Sequence, residues 1–140
     1  MLLATQPDRA AEALDLWRQN LAQAPDYLPS RLSVARALAR QGQTAGAIEH
    51  YQAVLRLKPE YVAARLALAE AQAQSGNPEA ALAELREALQ QQPNNPQIHE
   101  QIGDVERARG RHAEAAAAYR VALERAQDPA TRKRVQKKTY

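Results

Sequence analysis

Apolar residues fall along this chain in short blocks at helical spacing, and the blocks recur. Between Gly42 and Pro59, the residues Ala47, Ile48, Tyr51 and Leu55 make one stripe along a single helix. Gly42 can take a positive φ and end the preceding helix, Thr44 caps the next one, and Pro59 lies past its end. Moving 34 residues on gives Gly76, Ala81, Leu82, Leu85, Leu89 and Pro93. A second step gives Gly110, Ala115, Ala116, Tyr119 and Leu123, and one step back gives Ala13, Leu14, Trp17, Leu21 and Pro25. A fixed period of this length marks a stacked repeat protein.

The elements follow in order. Residues 1–7 read as a flexible lead-in, and Asp8 caps a helix to Gln23 that Pro25 stops. Asp26 opens a helix to about Arg40 with Leu28, Leu32, Val34, Ala35 and Leu38 on its apolar side. After the helix ending at Leu57, Glu60–Gln74 repeats the first kind of helix. Asn77-Pro78 and Asn95-Pro96 are cap-then-proline starts, giving helices to Gln91 and about Arg109. His112–Ala126 completes a third pair, and Asp128-Pro129 opens a last helix over Ala130–Lys138. The expected organisation is a half repeat over 8–25, full repeats over about 28–59, 62–93 and 96–127, and a basic capping helix over 128–140. Short glycine turns force each pair antiparallel, and each pair needs its neighbours to cover its remaining apolar surface. Trp17 and Pro25 keep the full repeat pattern, which favours a piece of a longer array over a native cap.

Composition narrows the classes. The chain is alanine-rich, has one tryptophan and no phenylalanine, and an all-helical fold is expected. It has no cysteine, which excludes disulfides and thiolate chemistry and fits a reducing, cytoplasmic setting. No apolar run is long enough to span a membrane, and the N-terminus lacks the pattern of a secretory signal. The net charge of +3 is unevenly placed. Residues 1–104 carry 9 basic and 12 acidic side chains, a balance of −3, and residues 105–140 carry 10 and 4, a balance of +6.

In its repeated slots the chain resembles the tetratricopeptide repeat family. Val34, Ala35 and Leu38 match the first-helix part of that signature, and Ala47, Tyr51 and Pro59 the second. The next repeat supplies Leu68, Ala69, Ala81, Leu85 and Pro93, and the third Ile102, Gly103, Ala115 and Tyr119. Departures are Arg31, Arg65 and His99 where tryptophan often opens the signature, Leu38, Gln72 and Glu106 in the later aromatic slot, and Gln127 in place of proline. The resemblance implies an α-solenoid of stacked antiparallel helix pairs, a right-handed superhelix whose first helices line a concave groove that receives peptides or segments of partner proteins. Carried onto this chain, the groove-facing slots are Leu32, Arg36, Arg40, Leu66, Glu70, Gln74, Gln97, Glu100, Asp104 and Arg107, with charge running from basic to acidic. One subset of the family grips a C-terminal carboxylate with lysine, asparagine and arginine. Those places hold Leu32, Arg36, Ala63, Ala67, Gln97 and Gln101 here, so that clamp is missing.

Candidate chemistry is sparse. His50, His99 and His112 share no helix at a spacing of four, so solvated or half-buried helix positions outweigh a metal or base role. Glu70, Glu100 and Asp104 lack the desolvated pocket that acid/base work needs, and a solvated charged face is expected. Trp17 takes the slot of Tyr51 and Tyr119 and is expected in the packing, as are Tyr27 and Tyr61 between pairs. Arg36 and Arg40, one turn apart, suit an acidic peptide or carboxylate. Arg132, Lys133, Arg134, Lys137 and Lys138 suit a solvated cap, and without stacking aromatics or a groove-reading element they disfavour nucleic acid as a partner. The expected function is a non-catalytic protein-interaction scaffold with no cofactor and no metal. The alternatives are a recruiting module of a larger enzyme or of a secretion or assembly protein, and a repeat fragment that self-associates through its end helices.

Overall fold

The structure, a computed structural model, describes residues 7–23 and 27–139, which form eight helices and no strand. They are α1 (Pro7–Gln23), α2 (Leu28–Arg40), α3 (Thr44–Leu57), α4 (Val62–Gln74), α5 (Pro78–Gln91), α6 (Pro96–Ala108), α7 (His112–Arg125) and α8 (Pro129–Thr139). The expected all-α solenoid of helix pairs is the observed fold.

The punctuation is as periodic as the apolar pattern. Gly42, Gly76 and Gly110 all take the left-handed conformation, with φ of 78°, 85° and 78°. Each turn closes in the same way: Gln43 N–H donates to Leu38 O at 2.8 Å, Asn77 N–H to Gln72 O at 2.9 Å and Arg111 N–H to Glu106 O at 2.8 Å. This six-to-one bond with a left-handed glycine inside it satisfies carbonyls that a helix end would otherwise leave open. The second helices also end alike, with Lys58, Gln92 and Ala126 donating to Val54, Ala88 and Ala122. Gln127 stands in the third proline slot, yet α7 stops in the same register. Proline is therefore not what terminates these helices.

Some boundaries differ from expectation. Thr44 is the first residue of α3 and Gln43 takes the cap position with no side-chain bond. Tyr27 caps α2, again without one, and Asp26 lies outside the described residues. Asp8 falls inside the first turn of α1 rather than before it. Asn77 and Asn95 do cap, accepting from Ala80 N–H at 3.3 Å and Gln97 N–H at 3.0 Å, and Asp128 accepts from Thr131 N–H at 2.8 Å.

The chain divides into two compact units, Met1–Ala71 and Gln72–Tyr140. In the first, Leu14 of α1, Leu32, Val34, Ala35 and Leu38 of α2, Ala47, Tyr51 and Val54 of α3, and Ala64, Leu68 and Ala71 of α4 form one buried cluster. Trp17, Ile48, Leu55 and Tyr61 are partly buried against it. Tyr27 is not: it is 56% exposed, because it caps α2 instead of lying between helices. In the second unit Leu85 and Ala88 of α5 and Ile98 of α6 are fully buried. Tyr119 of α7 packs with Ala115, Ala122 and Val135 of α8. Tyr51, Leu85 and Tyr119 are thus buried at like places in successive repeats.

Candidate protein-binding face

The 34-residue period aligns the first helices slot by slot. One row of equivalent positions reads Leu32, Leu66, Glu100, Arg134, and the next, one helical turn on, reads Arg36, Glu70, Asp104, Lys138. In the first unit the leucines are buried, at 3% and 5% exposure, and belong to the core rather than to an open lining. Arg36, Arg40 and Glu70 are exposed, and no hydrogen bond or ion pair reaches their side chains from the described residues.

The second unit uses the same slots differently. Glu100 is 5% exposed, which corrects its expected place on a solvated face. Arg134 Nε and Nη2 donate to its two oxygens at 2.8 Å each, and Lys138 Nζ donates to Oε2 at 2.8 Å. The same ammonium reaches both oxygens of Asp104 at 3.1 Å, and the Tyr119 hydroxyl donates to Asp104 Oδ1 at 2.6 Å. Arg107 lies over the Tyr119 ring at 5.6 Å. A carboxylate can be buried when charge-assisted bonds replace its water, and three of them do so at Glu100. Gln74 and Gln97 are exposed.

The titration directions agree with these contacts. The bonds from Arg134, then those from Lys138, hold the Glu100 carboxyl below the ordinary range against the opposing effect of burial. Glu100 in turn raises Arg134. Burial and the bond to Asp104 push the Tyr119 phenol far up, and burial raises Tyr51. His50 and His99 are both lowered, mainly by burial. Arg31 Nη1 donates to His50 Nδ1 at 3.4 Å, and His112 is exposed at the start of α7. Among the described residues no three His, Asp or Glu side chains stand together as a metal site, and no helix is long and apolar enough to cross a membrane.

Arg134 and Lys138 are bonded to acids, not free in solvent as a polar cap would leave them. The period itself holds that signal, because they stand one full repeat, 34 residues, beyond Glu100 and Asp104. Around them α8 is more than a polar tail. Val135 is fully buried, and Arg132 donates to the Leu123 and Ala126 carbonyls at the end of α7. Elsewhere in this unit Arg109 bonds Glu106 at 2.8 Å and approaches Glu79 of α5 at 3.5 Å.

Solved structures of similar fold agree with this architecture. A thermophilic protein of the same repeat type from Thermus thermophilus, TTC0263, matches with a TM-score of 0.79 at 27% identity over 91% of this chain and 72% of its own. The type III secretion translocator chaperone SycD of Yersinia enterocolitica matches at 0.77 and 20% identity, over 83% and 90%. A MamA protein matches at 0.73 and 20% identity over 82% of this chain, which spans 63% of the MamA chain. No curated protein matches. Two sequence models described as tetratricopeptide repeat match over residues 4–61 and 38–101. With those matches, the 34-residue period and the paired helices in hand, the chain belongs to the tetratricopeptide repeat family.

Proposed function

We propose that this protein is a non-catalytic scaffold that binds a peptide or a segment of a partner protein on the face of its first helices. The observation that carries this is the pair Arg36 and Arg40, exposed one turn apart on α2 over a packed repeat core, with no charge partner bonded to them among the described residues. A stack of this kind holds its side chains in place before a ligand arrives, so little ordering entropy is lost on the receptor side. The family match supports the reading, and so does the fold shared with SycD, which is itself a chaperone of a secretion translocator. A catalytic role finds less support. Glu100 and Asp104 are tied to cations and to a phenol, which leaves neither poised to take a proton.

Affinity capture with the wild-type chain and with the Arg36→Glu, Arg40→Glu double variant tests it. A partner held by the first and lost from the second, with helicity and melting unchanged, is the expected result. Equal retention by both chains refutes a site at these arginines.

A further inference from the structure

Tyr51 and Tyr119 occupy the same slot in their repeats, but their hydroxyls meet opposite surroundings. In the second unit the phenol donates to a carboxylate, Asp104, at 2.6 Å, and Lys138 closes on that carboxylate at 3.1 Å. That unit therefore contains a built carboxylate receptor made of a buried phenol and a cation, with Arg107 over the ring. In the first unit Tyr51 is just as buried, at 3% exposure, and its hydroxyl has no hydrogen-bond partner among the described residues. Fifteen residues before Tyr119 stands Asp104; fifteen before Tyr51 stands Arg36. Arg36 and Glu70 stand 34 residues apart in the slots that Asp104 and Lys138 fill, and Arg40 lies one turn beyond Arg36 on α2. Asp104 and Lys138 are bonded to each other, whereas Arg36 and Glu70, in equivalent slots with the signs reversed, are not. The first unit thus presents the phenol donor, two cations and one anion, Glu70, and no carboxylate is bonded to the hydroxyl among the described residues.

We infer that Tyr51, Arg36 and Arg40 form a receptor for an aspartate or glutamate side chain of the bound protein segment. This rests on the scaffold reading and names the chemistry of its ligand. The Tyr51 hydroxyl donates to one carboxylate oxygen, and the guanidinium groups supply further N–H donors shared between the two oxygens. Glu70 sets the charge of the receptor. Two cations and one anion leave a single positive charge, which suits one carboxylate better than a phosphate dianion and repels a second acid beside the first.

The test is titration of the full chain at low salt with an acetylated, amidated peptide carrying three aspartates separated by leucine and alanine. The expected result is saturable binding that weakens about tenfold in Tyr51→Phe, because one charge-assisted hydrogen bond is lost. Binding is expected to vanish in Arg36→Gln, Arg40→Gln and with the all-asparagine peptide. Tyr119→Phe should bind as the wild type does, since its hydroxyl is already taken by Asp104. No binding to the wild type, or equal binding by Tyr51→Phe, overturns the receptor. A neutral peptide with a free C-terminal carboxylate that binds as tightly as the acidic one also overturns it, by making the chain end the ligand. If the arginine variant alone loses a partner in the capture experiment while Tyr51→Phe keeps the peptide, the scaffold reading survives and the receptor does not.

Discussion

Gly103 gives the sharpest test of how the second unit is packed. A Cβ added there would lie 2.5, 2.7 and 2.9 Å from three atoms of the Tyr119 ring. Real contacts of this kind are essentially never so short. The ring is also held: its hydroxyl is bonded to Asp104 at 2.6 Å and Arg107 lies over its face. Gly103→Ala has two opposed effects. Alanine in a helix interior is favoured over glycine by about 1 kcal/mol. Overpacking a close-packed core costs about 1–3 kcal/mol, and three overlapping atoms on a pinned ring place this case at about 3. The expected net loss is about 2 kcal/mol, read by guanidinium denaturation of the full chain. Tyr119→Leu removes the ring that the methyl would strike. In that background Gly103→Ala should cost nothing or stabilise, so the double-mutant cycle should show a coupling of about 2 kcal/mol. A Gly103→Ala variant as stable as the parent, or additive effects in the cycle, would refute the claim that the glycine exists to admit the ring. The first unit is the natural control, since Ala35 and Tyr51 share one core there without an acid at residue 36 to hold the hydroxyl.

Acid should weaken the second unit through Glu100. Its folded-state carboxyl is depressed, so its contribution is complete above the unfolded carboxylate range and is lost as pH falls through the lower, folded value. Melting temperature should therefore drop steeply below about pH 4 in the wild type and less steeply in Glu100→Gln. Arg134→Ala with Lys138→Ala should cost about 2 kcal/mol at pH 7, discounted from the fully buried case because the Arg134 side chain is 51% exposed. Gly110→Ala should cost about 1 kcal/mol by chemical denaturation although nothing lies within 4 Å of the added methyl, because the penalty is the left-handed backbone and not a clash.

Much of the fold was legible in the chain because each local signal agreed with the period. Three glycines 34 apart mark three identical turns, and the slot of Tyr51, Leu85 and Tyr119 is buried each time. Cap residues were less legible. Thr44 has the right chemistry for an N-cap, but the turn geometry after Gly42 puts Gln43 in that position, and the backbone rather than a side chain closes the end. Leu32 and Leu66 belonged to the expected lining and proved to be core, since aliphatic side chains between packed helices gain more from burial than from solvent.

Hydrophobic period and glycine punctuation determine, without any coordinates, that this chain forms paired antiparallel helices repeated in register. These are local properties: which face of a helix is apolar and where the backbone must turn left-handed depend on residues a few positions apart. Which charges stay open was decided only by tertiary structure. Arg36 and Glu100 look equally solvated in a list of helix faces. One is exposed and the other is sealed beneath Arg134 and Lys138. The physical reason is that the cost of burying a charge is set by the partners that replace its water, and for Glu100 those partners stand 34 and 38 residues away on another helix.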